Sequence, residues 1–176
     1  MLFFLMGIGC GAIDSLLTIE IEESSQVMVE QGTVLESLLG DLGFGDFVSM
    51  DLTESQALAN QGVEPGDIER VTLTVLELEA IEPADGDLSF FESMTFSVSA
   101  PDIDTVQIAS APGFPEGEAL VVFDREDVDL TEYVVSESMT ISTDVTASRP
   151  ERDTLVEARF TVEVQATVQG VKNQLE

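Results

Sequence analysis

Over residues 156–168 every second side chain is apolar: Val156, Ala158, Phe160, Val162, Val164, Ala166 and Val168. The residues between are Glu157, Arg159, Thr161, Glu163, Gln165 and Thr167. A strand sends successive side chains to opposite faces, so this pattern demands a sheet with one buried and one wet face. Met139, Ile141, Thr143 and Val145 repeat the period against Thr140, Ser142, Asp144 and Thr146. Arg149-Pro150 lies between the two stretches, so they are expected to form an antiparallel hairpin with a loop around 147–153.

Upstream, Met94, Phe96, Val98 and Ala100 alternate up to Pro101, and Val106 and Ile108 mark a short partner strand after the Asp102–Asp104 turn. Val71, Leu73 and Val75 share one face, whereas Leu76 and Leu78 take the other, which calls for a bulge near Val75. Leu120 to Phe123 is a continuous apolar run, suited to a strand buried on both faces. Ile19, Ile21, Val27 and Val29 supply the first strand or strand pair. About seven strands with polar connections predict a mainly β chain, an antiparallel β-sandwich of immunoglobulin-like type.

Helices are expected to be two or three, short, and confined to connections. Thr33 with Glu36 and Thr53 with Gln56 fit the capping-box pattern, and Gly40 and Gly62 follow as stops. These place helices over 33–40 and 53–61, with a third turn at Asp129 to Tyr133. Leu42 and Phe44, in the glycine-bounded segment 40–45, belong either to a loop tucked onto the core or to an exposed contact. The sandwich domain is assigned to 18–170 and a C-terminal tail to 171–176, with no internal repeat and no second domain.

The chain carries 35 Asp and Glu against 6 Lys and Arg, a formal net charge of −29. Nucleic-acid binding needs cations that displace counterions from phosphates, so that class of partner is excluded. Anionic lipid headgroups would be repelled for the same reason, and any membrane attachment must be covalent or apolar. The acidity suits a solubilising or salt-adapted surface; specific cation binding is the alternative.

Residues 1–9 are uncharged and end in Gly7-Ile8-Gly9, and the chain's one cysteine, Cys10, follows at once. Nine residues are too few to span a bilayer, which takes about 20. An apolar run closing on small residues is how a signal sequence meets its cleavage site. The segment resembles the lipobox of bacterial lipoprotein precursors. That resemblance implies that 1–9 are a signal-like segment, that Cys10 receives the lipid, and that 10–17 tether the domain to the membrane. It also implies export, and Gly11 in place of an aspartate favours the periplasmic or cell-surface side of the outer membrane.

The chain has no histidine, which removes the commonest general base and metal ligand near neutral pH. No nucleophile elbow, P-loop or dinucleotide fingerprint is present. A paired-carboxylate enzyme is the residual catalytic option. Hard cations favour oxygen-rich loops, and three places gather carboxylates: Asp85 with Asp87, Asp102 with Asp104, and Asp124, Glu126, Asp127 and Asp129. The last group is the best Ca²⁺ candidate, although a solvated acidic loop is the simpler reading of each. Three readings follow. The first is a non-catalytic, lipid-anchored envelope protein that displays an acidic β-sandwich for binding, to an envelope protein or glycan partner, or for structural purposes. The second is a Ca²⁺-dependent adhesion or carbohydrate-binding module, with Tyr133 the only Tyr or Trp available for stacking. The third is the paired-acid enzyme.

Overall fold

The computed structural model describes residues 17–32, 58, 60–136 and 138–167. The signal-like segment, Cys10, the expected helix over 33–40, the loop over 40–45 and the C-terminal tail lie outside those residues. Leu58 and Asn60 are helical, within the helix expected over 53–61, most of which also lies outside.

The described strands are β1 (Leu17–Val29), β2 (Ile68–Glu82), β3 (Phe91–Ala100), β4 (Ile103–Ala111), β5 (Leu120–Val122), β6 (Asp124–Arg125), β7 (Thr140–Ala147) and β8 (Thr154–Ala166). A one-turn helix α1 (Thr131–Val134) falls where the third turn was expected, and a 3₁₀ turn spans Pro65–Asp67. The strands form two antiparallel sheets of four, ordered β1-β8-β2-β5 and β6-β4-β3-β7, here called sheets A and B. Their apolar faces share one core, in which Val71, Leu76, Phe96, Val98 and Val164 are fully buried. Two sheets face to face over one core is the layering of a β-sandwich.

The phase change in β2 is real. The pairing of β2 with β8 shifts register between Leu73 and Val75, so Val71 and Leu73 before it and Leu76 and Leu78 after it all reach the core. A bulge takes backbone groups out of the ladder, and side chains satisfy them here. Arg125 Nη1 donates to the Leu73 carbonyl at 2.9 Å, and Thr74 Oγ1 donates to the Thr161 carbonyl at 3.1 Å.

Two expectations need correction. The stretches at 139–145 and 156–168 do not form a hairpin: β7 pairs with β3 in sheet B, whereas β8 lies between β1 and β2 in sheet A. Two amphipathic strands can bury their apolar faces side by side or across a core. The link over 148–153 is long enough to cross the roughly 10 Å between sheets. It is pinned on the way by Ser148 N–H to the Phe90 carbonyl (2.7 Å) and Gly32 N–H to the Pro150 carbonyl (2.9 Å).

The run Leu120 to Phe123 is not buried on both faces. Val121 and Phe123 point inward, but Leu120 and Val122 are 43% and 61% exposed. The chain changes sheets here. β5 pairs with β2 in sheet A, Phe123 N–H continues onto the Leu76 carbonyl, and β6 pairs with β4 in sheet B. Phe123 fills the crossing point, its ring 5.4 Å from Phe96 and 6.1 Å from Phe114 in edge-on geometry.

Candidate functional site: the outer face of sheet A

The four carboxylates put forward for calcium are spread along the segment from β6 to the start of α1, and three of them turn to separate neighbours. Asp124 sits exposed in β6. Glu126 accepts from Gln107 Nε2 at 3.3 Å, and Asp127 pairs with Arg70 at 3.1 Å. Asp129 accepts from the Thr131 N–H at 3.0 Å and the Thr131 hydroxyl at 2.5 Å, while that hydroxyl accepts from Val71 N–H. This contact ties the start of α1 to β2. Partial burial raises the Asp129 pKa, but the two Thr131 bonds, then Val71 and Arg70, outweigh it and leave it below the ordinary value. Among the described residues, no three His, Cys, Asp or Glu side chains are grouped so as to hold a metal ion.

The other acidic pairs are turns. Asp102 takes the left-handed conformation (φ 61°) between β3 and β4, and the Tyr133 hydroxyl donates to the Asp104 carbonyl at 2.8 Å. Asp85 pairs with Arg152 at 3.1 Å, and that guanidinium holds its carboxyl below the ordinary pKa. Gly86 N–H closes onto the Pro83 carbonyl, whose oxygen would lie 2.8 Å from any added Cβ, so only glycine fits this turn. Asp87 accepts from Gly117 N–H and from the N–H and hydroxyl of Ser89, which depress its pKa.

Charge converges instead on the outer face of sheet A. Register alone sets two rows there, with neighbouring strands about 4.8 Å apart. One row runs Leu120, Glu79, Glu157, Gln26; the next runs Val122, Glu77, Arg159, Ser24. Glu79 and Glu157 are directly opposite like charges, an arrangement that would repel if left alone. Arg159 resolves it. Its Nη2 binds Glu79, its Nη1 lies 3.5 Å from Glu157, and its Nε lies 2.9 Å from Glu77 without hydrogen-bond alignment. Gln26 Nε2 donates to the remaining side of Glu157 at 2.8 Å. Partial burial works against the Arg159 charge, but Glu77, Glu79 and Glu157 outweigh it and hold its pKa above the ordinary value.

The result is one cation, 40% exposed, held by three carboxylates at the centre of an acidic sheet face. The exposed Leu120 and Val122 border it on one side. A depression of about 720 Å³ borders it on the other, lined by Glu22, Glu23, Ser24, Glu77, Arg159 and Thr161. The sequence places Glu157, Arg159 and Glu163 on the wet face of their strand, but it does not say what they meet. The only signal was the matching alternation Glu77-x-Glu79 and Glu157-x-Arg159, and it gains meaning only with the register. Neither the known protein families nor the curated proteins contain a match to this chain.

Proposed function

We propose that this chain is a non-catalytic, lipid-anchored envelope protein that displays an acidic β-sandwich for binding. The observation that carries the reading is the outer face of sheet A, where carboxylates are organised by Arg159 into a fixed, wide and open surface. A catalytic pair of acids needs two carboxyls set apart in pKa around a substrate-sized space. Among the described residues, the acids whose pKa values shift, Asp85, Asp87 and Asp129, are engaged with an arginine, backbone N–H groups and hydroxyls in turns and a helix start. The anchor rests on Cys10 and its apolar leader, and the net charge of −29 supports covalent over electrostatic attachment.

The strand order supports a double-sheet jelly roll over the immunoglobulin-like type. In the immunoglobulin order the first strand lies beside the second; here β1 lies beside β8, the last described strand.

The test is an intact mass of the membrane fraction from bacteria expressing the full chain. Loss of residues 1–9 with a lipid adduct, both abolished by Cys10→Ser, is the expected result. An unmodified chain that retains Met1 would overturn the anchor.

A further inference from the structure

β1 is the longest free edge among the described strands. Its thirteen residues pair with β8 in one unbroken register, from Leu17 opposite Ala166 to Val29 opposite Thr154, and no described strand pairs with its other side. A strand edge presents a row of unpaired N–H and C=O groups, and proteins usually blunt such edges with bulges, prolines, lysines or shortness. β5 and β6, the edges on the opposite side, are three and two residues long. β1 has no bulge, no proline and no lysine. What it carries is Glu20, Glu22 and Glu23, all exposed.

Those glutamates select the occupant. Full-length antiparallel pairing of β1 with a second copy would set Glu23 against Glu23, and a one-residue slip would set Glu22 against Glu23. Like charges directly opposite destabilise a pair, and two chains of −29 repel before they meet. Glu20 and Glu22 point to the outer face two residues apart. Glu22 and Glu23 also line the depression that ends at Glu77 and Arg159. An added strand with cations at every second position would meet Glu20 and Glu22 in register. Its next cation would reach that depression.

We propose that β1 is a strand-addition site for an extended protein segment bearing Lys or Arg at alternating positions. The backbone ladder supplies the pairing and the three glutamates supply the selection. The inference rests on the binding-module reading and names its partner class. It does not depend on the lipid.

The probe is a short peptide alternating lysine and threonine. Its controls are the same peptide with a fully N-methylated backbone and one alternating glutamate and threonine. With the full chain at low salt, the lysine peptide should bind and slow amide exchange along 17–29. Both controls should bind at least about tenfold more weakly. The variant E20Q/E22Q/E23Q should lose about tenfold for the lysine peptide, the effect of three exposed ion pairs, while melting no lower than the parent. Equal binding of the N-methylated peptide would mean that charge alone attracts it, and would overturn strand addition. So would protection arising on another strand, binding that survives the triple substitution, or a dimer of the chain formed through β1. A chain that binds through β1 yet carries no lipid loses only the anchor. A lipidated chain that ignores the peptide loses only this site.

Discussion

The two long sides of the sandwich end in different ways. On one, a single segment leaves sheet A as β5, turns at Phe123 and joins sheet B as β6, so the two sheets are stitched together by continuous chain. On the other, β1 and β7 finish their sheets without a described neighbour. The stitched side is sealed by an aromatic cluster, with Phe123 between Phe96 and Phe114. The open side places a glutamate, Glu23, in the same strand phase as the inward Ile19 and Ile21, opposite Phe160 in β8, yet exposed at the edge. An inward-phased charge on an edge strand guards against unwanted pairing. One side is therefore built for stability, and the other for controlled access.

The comparison breaks first at Phe123. Phe123→Ala removes a ring that is 3% exposed and should cost about 3–5 kcal/mol, read by denaturant unfolding. A cost below about 1 kcal/mol would show that the crossing is not sealed by that ring. Arg159→Met comes next. It leaves Glu77, Glu79 and Glu157 facing one another and should cost about 1–2 kcal/mol at low salt, shrinking as salt screens them. A loss unchanged by salt would mean that packing of the side-chain stem, not charge, is the contribution.

Asp87 gives the smaller effect and a pH signature. Its pKa is lowered in the folded chain, so it stabilises the fold above the unfolded carboxyl value of about 3.9 and ceases to do so as pH falls through the folded value. Asp87→Ala should therefore cost about 1 kcal/mol at pH 7, and the difference from the parent should vanish in acid. A difference independent of pH would reassign the loss to the turn's shape. Smallest in stability, Glu23→Val should shift unfolding by less than about 0.5 kcal/mol, yet promote self-association measurable by sedimentation. A monomer at all concentrations would remove the guard role from Glu23.

Much of the sandwich is legible in period-two patterning. The apolar set that alternation names in β8 is buried, although Thr161, phased to the wet face, is buried with it, and the phase slip at Val75 correctly announces the bulge of β2. What alternation does not encode is neighbourhood. It says which side of Met139–Val145 and of Val156–Ala166 faces the core, and two strands with such faces can pair or oppose one another. The same gap explains Leu120–Phe123, where a short apolar run reads as doubly buried although Val122 sits at an edge. The Arg159 cluster shares that cause, since its three carboxylates come from two strands, β2 and β8, and meet only in the observed register. The segment 124–129 shows the converse: of four acids close in sequence, three engage separate partners, because Arg70, Gln107 and Thr131 approach from different elements.

Residue-resolved amide hydrogen exchange on the isolated chain tests the contrast between the two sides most directly. The account predicts slow exchange through β2, β8 and the Phe123 crossing, and a two-residue alternation along β1: amides bonded to β8 exchange slowly, and those facing outward exchange quickly. Uniform slow exchange along β1, matching that of β8, would show that the edge is already paired and would contradict an open side.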